Sequence, residues 1–102
     1  MSDFDLHEMN GMHVNLNQAT LGLNDNFRMV AFTRESGVWI FKFYLDHEDE
    51  DDREEVEDIM TQIEAIEGSD FKAEFEIIVG NEPIAWPEHP ARVVFRNARS
   101  KK

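Results

Sequence analysis

Hydrophobic positions along this chain change their spacing from segment to segment. In VWIFKFYL, residues 38–45, Trp39, Phe41, Phe43 and Leu45 fall on one face of a two-residue period. Val38, Ile40, Lys42 and Tyr44 fall on the other. Both faces are largely apolar, which predicts a central strand. Phe27–Thr33 is similarly rich in aromatic and β-branched residues and predicts a second strand. The short link Arg34–Gly37 contains a glycine able to supply positive φ, as a hairpin turn requires. Between residues 51 and 67 the spacing lengthens to three and four. Val56, Ile59, Met60, Ile63 and Ile66 then form one apolar stripe, predicting a helix with a structural stripe that stops at Gly68. In Phe71–Val79 the period returns to two. Phe71, Ala73, Phe75, Ile77 and Val79 point inward and Lys72, Glu74 and Glu76 outward, as in a half-exposed antiparallel strand. Arg92–Arg96 predicts a last strand.

The remaining segments are less regular. Residues 1–13 show no period and read as a loose lead-in. Val14–Leu23 predicts at most a short helix, capped by Asn15 or Asn17 and ending near Gly22. The loop 80–90 holds all three prolines. Residues 97–102 read as a basic, frayed tail. The expectation is a single α+β domain over residues 1–102: about four antiparallel strands packed on one amphipathic helix in the order β-β-α-β-β.

Composition supports one folded domain. A chain of 102 residues can bury roughly two-thirds of its unfolded surface. Eight Phe and two Trp within a 41% hydrophobic content oppose wholesale disorder. No cysteine is present, which excludes disulfides, thiol chemistry and cysteine-type zinc sites and suits a reducing compartment. The acidic start MSDFDLHEMN lacks the apolar segment of a signal peptide, so a cytoplasmic, bacterial-type protein is expected.

Charge changes the picture more. In Asp46–Asp58, DHEDEDDREEVED, ten of thirteen residues are acidic and only Arg53 opposes them, so the run carries −9 of the formal −12. Acids in the first turns of a helix complement its dipole, and a solvated helix start is one reading of this run. The excess over what a cap needs supports the other, an electrostatic docking surface for a basic protein. Candidate partner-binding residues are Asp46, Glu48, Asp49, Glu50, Asp51, Asp52, Glu54 and Glu55. Trp86, in the proline-flanked stretch NEPIAWPEHP, joins them as an interface anchor, or alternatively folds back over the sheet edge. The stretch Arg92–Lys102 carries five Lys or Arg, but the net field opposes nucleic acid.

No motif carries catalysis, a metal or a cofactor. An EF-hand loop starting at Asp46 would need glycine where Asp51 stands. The histidines His7, His13, His47 and His89 lack zinc-ligand spacing, the serines lack a nucleophile elbow, and the five glycines are isolated. A carboxylate-based hydrolase has only the abundance of acids in its favour. A non-enzymatic interaction module remains as an alternative, including a homodimer paired through Phe27–Thr33 or Arg92–Arg96.

The ordered pattern FRMVAFTRESGVWIFKFYLDHEDEDDREEVEDIMTQI, then FEIIVGNEPI, then RVVF resembles small proteins found beside bacterial polymorphic toxins. In particular it resembles the immunity proteins of contact-dependent growth inhibition systems, over about Phe27–Arg96. That resemblance implies a cytosolic, non-catalytic antidote that binds one cognate toxin domain, many of which are nucleases with basic grooves. It transfers no catalytic residues and implies no membrane or nucleic-acid partner, while self-association stays open.

Overall fold

A computed structural model describes residues 6–88 and 91–97. Its elements are α1 (Leu6–Ala19), β1 (Phe27–Glu35), β2 (Val38–Leu45), α2 (Glu50–Glu67), β3 (Ala73–Val79) and β4 (Arg92–Arg96). The strands form one sheet in the order β3-β2-β1-β4.

The β1–β2 hairpin forms as its residues require. Glu35 pairs with Val38, so the turn has two residues, and both Ser36 (φ 53°) and Gly37 (φ 79°) take positive φ. Two central residues in that region match the right-handed twist of the flanking strands. β2 lies between β3 and β1, the central position its two apolar faces predict. Trp39, Phe41, Phe43 and Leu45 are all buried.

Two expectations are corrected. The sheet is mixed, because β3 runs parallel to β2, with Phe41 beside Phe75 and Phe43 beside Ile77. The cause is α2. Its 18 residues span about 27 Å and carry the chain back along the whole sheet before β3 begins. The alternation of β3 reflects an edge position. The same residues share one face, but Phe75 remains 42% exposed.

The second correction concerns the N-terminus. The described part of the lead-in is helical, and α1 starts at Leu6, well before Asn15 or Asn17. Met9, Met12 and Leu16 recur on one side of it and are fully buried. Gly11 and three asparagines depress helix propensity here, so packing against α2 and the sheet, not local propensity, stabilises the element. Thr20 closes the helix, its hydroxyl donating to the carbonyls of Leu16 and Asn17.

Both helices cover one face of the sheet. Met9, Met12 and Leu16 of α1 and Val56, Ile59, Met60 and Ile63 of α2 join Phe27, Val30, Phe32, Phe41, Phe43 and Leu45 in one core. Ile66, at the end of the expected stripe, escapes it and is 59% exposed. β1 has a strand on both sides, so Phe27–Thr33 offers no edge for a two-fold pairing. Of the basic tail, residues 98–102 lie outside the described residues, as do Met1–Asp5 and His89.

Met12→Ala is expected to cost about 2–5 kcal/mol in urea unfolding, as buried large-to-alanine changes do. Val14→Ala, two residues on but 57% exposed, should stay within about 0.5 kcal/mol. Equal effects would remove α1 from the core.

Candidate partner-binding surface

The acidic run begins where β2 ends and continues into α2. Asp49 is the N-cap, extended at φ −153° and ψ 123°, and its carboxylate accepts from the Asp52 amide at 3.1 Å. Glu50, Asp51 and Asp52 crowd the first turn, where unpaired amides favour negative charge. Gly68 ends the helix at φ 98°, its amide donating to the Glu64 carbonyl.

These acids do not form a uniform surface. Asp46, Glu48, Glu50, Asp51, Glu54 and Glu55 are exposed, Asp49 is half-buried, and Asp52 is only 6% exposed. The Asp52 carboxylate accepts from Asn26 Nδ2 at 2.7 Å and from Asn24 Nδ2 at 2.9 Å. Asn26 also brackets His47, donating to its carbonyl and accepting from its amide, both at 2.9 Å. The Asp46 amide donates to the Asn26 carbonyl at 2.8 Å. Asp52 is thus an internal tie between the start of β1 and the acidic loop, and unlike its exposed neighbours it points below the surface. Asn24 and Asn26 carry no signal of this role in the sequence, since two asparagines before a strand read as ordinary turn formers.

Arg53 ion-pairs with Glu48 through Nε and also donates through Nη2 at 2.9 Å. The guanidinium holds the Glu48 carboxyl below its ordinary pKa, chiefly by this hydrogen bond. The run's only cation is therefore spent locally, and Glu50, Asp51, Glu54 and Glu55 face outward around it.

Trp86 lies on the opposite face of the sheet. Arg28, at a register shift in β1, is almost fully buried and donates to the carbonyls of Gly80 and Glu82, each at 2.7 Å. That lock holds the segment after β3 across the sheet, leaving a shallow groove of about 190 Å³ between Ala31, Ile40, Tyr44, Ala85 and Trp86. The Arg96 guanidinium sits 5.6 Å from the Trp86 ring centre, yet Trp86 is 61% exposed. The tryptophan is both folded back and accessible. Nothing in the residues around Arg28 signalled its role.

A third region joins α1 to the hairpin. Arg34 lies 5.0 Å over the Trp39 ring and ion-pairs with Glu8. His13 packs edge-on against Phe32, its Nδ1 buried and without a hydrogen-bond partner among the described residues. Burial first, and the charge of Arg92 second, push its pKa down. Among the described residues no three His, Cys, Asp or Glu are grouped to hold a metal ion, and no helix is long and apolar enough to cross a membrane.

With this geometry in place, one family model matches. It is described as MafI2 immunity protein, and it covers residues 10–98, which is 89 of 102 positions. The match takes in every strand, α2 and most of α1. No curated protein matches the chain.

Asp52→Ala is expected to destabilise the fold by about 1–3 kcal/mol, because it strands the buried Asn26 amide and frees Asn24 from the loop. Asp51→Asn beside it should change stability by under about 0.5 kcal/mol, both read by denaturant midpoints. His13 gives a pH test. Its folded pKa is depressed, so its contribution to stability is present above the ordinary value of 6.5 and is lost as pH falls through the folded value. His13→Gln should flatten the stability profile in that window; an unchanged slope would assign it to other groups.

Proposed function

The chain belongs to the MafI2 immunity protein family, and we propose that it neutralises its cognate toxin by docking the exposed acidic surface on a basic nuclease domain. The family supplies the toxin-immunity role and with it a toxin as partner. The observation that carries the finer reading is the placement of charge. Asp46, Glu48, Glu50, Asp51, Glu54 and Glu55 are exposed along one loop and two helix turns, and Arg53 is turned onto Glu48. A nuclease that binds phosphate backbone needs a basic groove. A rigid array of carboxylates competes for that groove, speeding encounter by long-range attraction.

The array is preorganised. Asp49 caps the helix and Asp52 fixes the loop from beneath, so little conformational entropy opposes docking. Trp86 and its groove belong to the other face of the sheet and supply an apolar anchor for a partner large enough to wrap the sheet edge. No catalytic step is needed, and inhibition is stoichiometric. A cytoplasmic site of action and delivery of the toxin by contact between bacterial cells complete this reading.

Two measurements test it. Glu50→Gln, Asp51→Asn, Glu54→Gln and Glu55→Gln together should slow association with the toxin domain encoded beside this chain by about tenfold or more at low salt. Dissociation and the unfolding midpoint should change little. Equal association rates for variant and parent would exclude the acidic face as the docking surface. Trp86→Ala should instead accelerate dissociation by about tenfold, as loss of an anchor worth about 1.4 kcal/mol does.

A further inference from the structure

The two edges of the sheet differ in how they are protected. β4 has five residues and joins β1 through a register shift. β3 has seven residues, contains neither proline nor glycine, and keeps register with β2 throughout. Of the devices that keep an edge from recruiting another strand, β3 lacks irregularity, proline and short length and carries only charge, at Glu74 and Glu76. No described strand pairs with its outer side.

The ladder shows which groups that side presents. The Lys72 carbonyl accepts from the Trp39 amide, and the Gly80 amide donates to the Leu45 carbonyl, both at 2.9 Å. Direction alternates along a strand. Residues 74, 76 and 78 therefore also turn toward β2, while Ala73, Phe75, Ile77 and Val79 aim their N–H and C=O groups outward. This is a regular template over most of the strand.

Its side chains select the occupant. Glu74 and Glu76 are exposed on one face, and Phe75 and Val79, 42% and 38% exposed, lie on the other. A second copy paired antiparallel about Phe75 would set Glu74 against the partner's Glu76, and each copy carries a net −12. Directly opposed like charges destabilise a strand pair. The same carboxylates favour a strand that places Lys or Arg beside them. β3 also ends at the acidic run, since Gly80 bonds the carbonyl of Leu45, the residue before Asp46.

We propose that the outer edge of β3 is a strand-addition site for the toxin, taking a strand in which basic residues alternate with apolar ones, the basic residues beside Glu74 and Glu76. This rests on the toxin-immunity reading and goes beyond it by assigning backbone pairing to a specific edge.

The experiment uses the full chain and the toxin domain encoded beside it. Amide exchange should be fast at Phe75, Ile77 and Val79 in the free protein and slowed at least about tenfold in the complex. Phe75→Pro removes one outward amide and no bond to β2, whereas Phe75→Val keeps it. The proline variant should bind at least about fivefold more weakly than the valine variant. Glu74→Lys with Glu76→Lys, both at exposed positions, should weaken binding by about tenfold or more with an unchanged circular dichroism spectrum. A complex in which those three amides keep their free exchange rates, or equal affinities across the variants, overturns strand addition and leaves immunity standing. A dimer of the free chain that already protects these amides overturns it in favour of a second copy. Absence of any complex with the parent chain overturns both readings.

Discussion

The Asp52 carboxylate, at the first turn of α2, ties the helix to the turn before β1. It is buried and shared by two asparagines from the turn before β1. A buried carboxylate is tolerated only when its lone pairs are satisfied, so Asn24 and Asn26 must both reach it. In doing so they join the start of β1, the loop after β2 and the first turn of α2. The direction of α2 follows, and with it the parallel course of β3.

Local capping and tertiary pinning act on the same few residues. Asp49 closes the helix start from within the chain, and Asn26 closes the loop from the start of the neighbouring strand β1. Charges that would otherwise repel one another are thereby held in a fixed array at one end of the sheet. The dipole of α2 offsets part of that repulsion in its first turn only. Acids beyond that turn gain no such compensation from the fold, which fits a surface kept acidic for a partner.

A comparable division holds on the other face. Buried Arg28 has its charge satisfied by two carbonyls of the segment after β3. That segment therefore lies across the sheet and presents Trp86 beside Arg96. Among the described residues the helices cover most of one face but leave Phe75 and Val79 partly exposed, the segment after β3 covers the other face in part, and β3 is left as an edge. Under the proposed function these uncovered features share one meaning, because an immunity protein that docks on its toxin must offer surface to it.

The hairpin, the central place of β2, the amphipathic stripe of α2 and its stop at Gly68 are all legible in the residues alone. Each rests on a local period or on a backbone conformation that only certain residues adopt. The sequence also showed the acidic run and the tie to toxin immunity. What it left open was set by contacts between distant residues. The first half of α1 reads as an irregular lead-in, because Met9, Met12 and Leu16 form a thin stripe among poor helix formers and gain their stability only in the core they share with α2 and the sheet. β3 reads as antiparallel, because period two is the same in either direction, and the 18-residue crossover decides which is built. Asp52 reads as one acid among ten, because charge is written along the chain, whereas burial depends on Asn24 and Asn26 arriving from elsewhere in the fold.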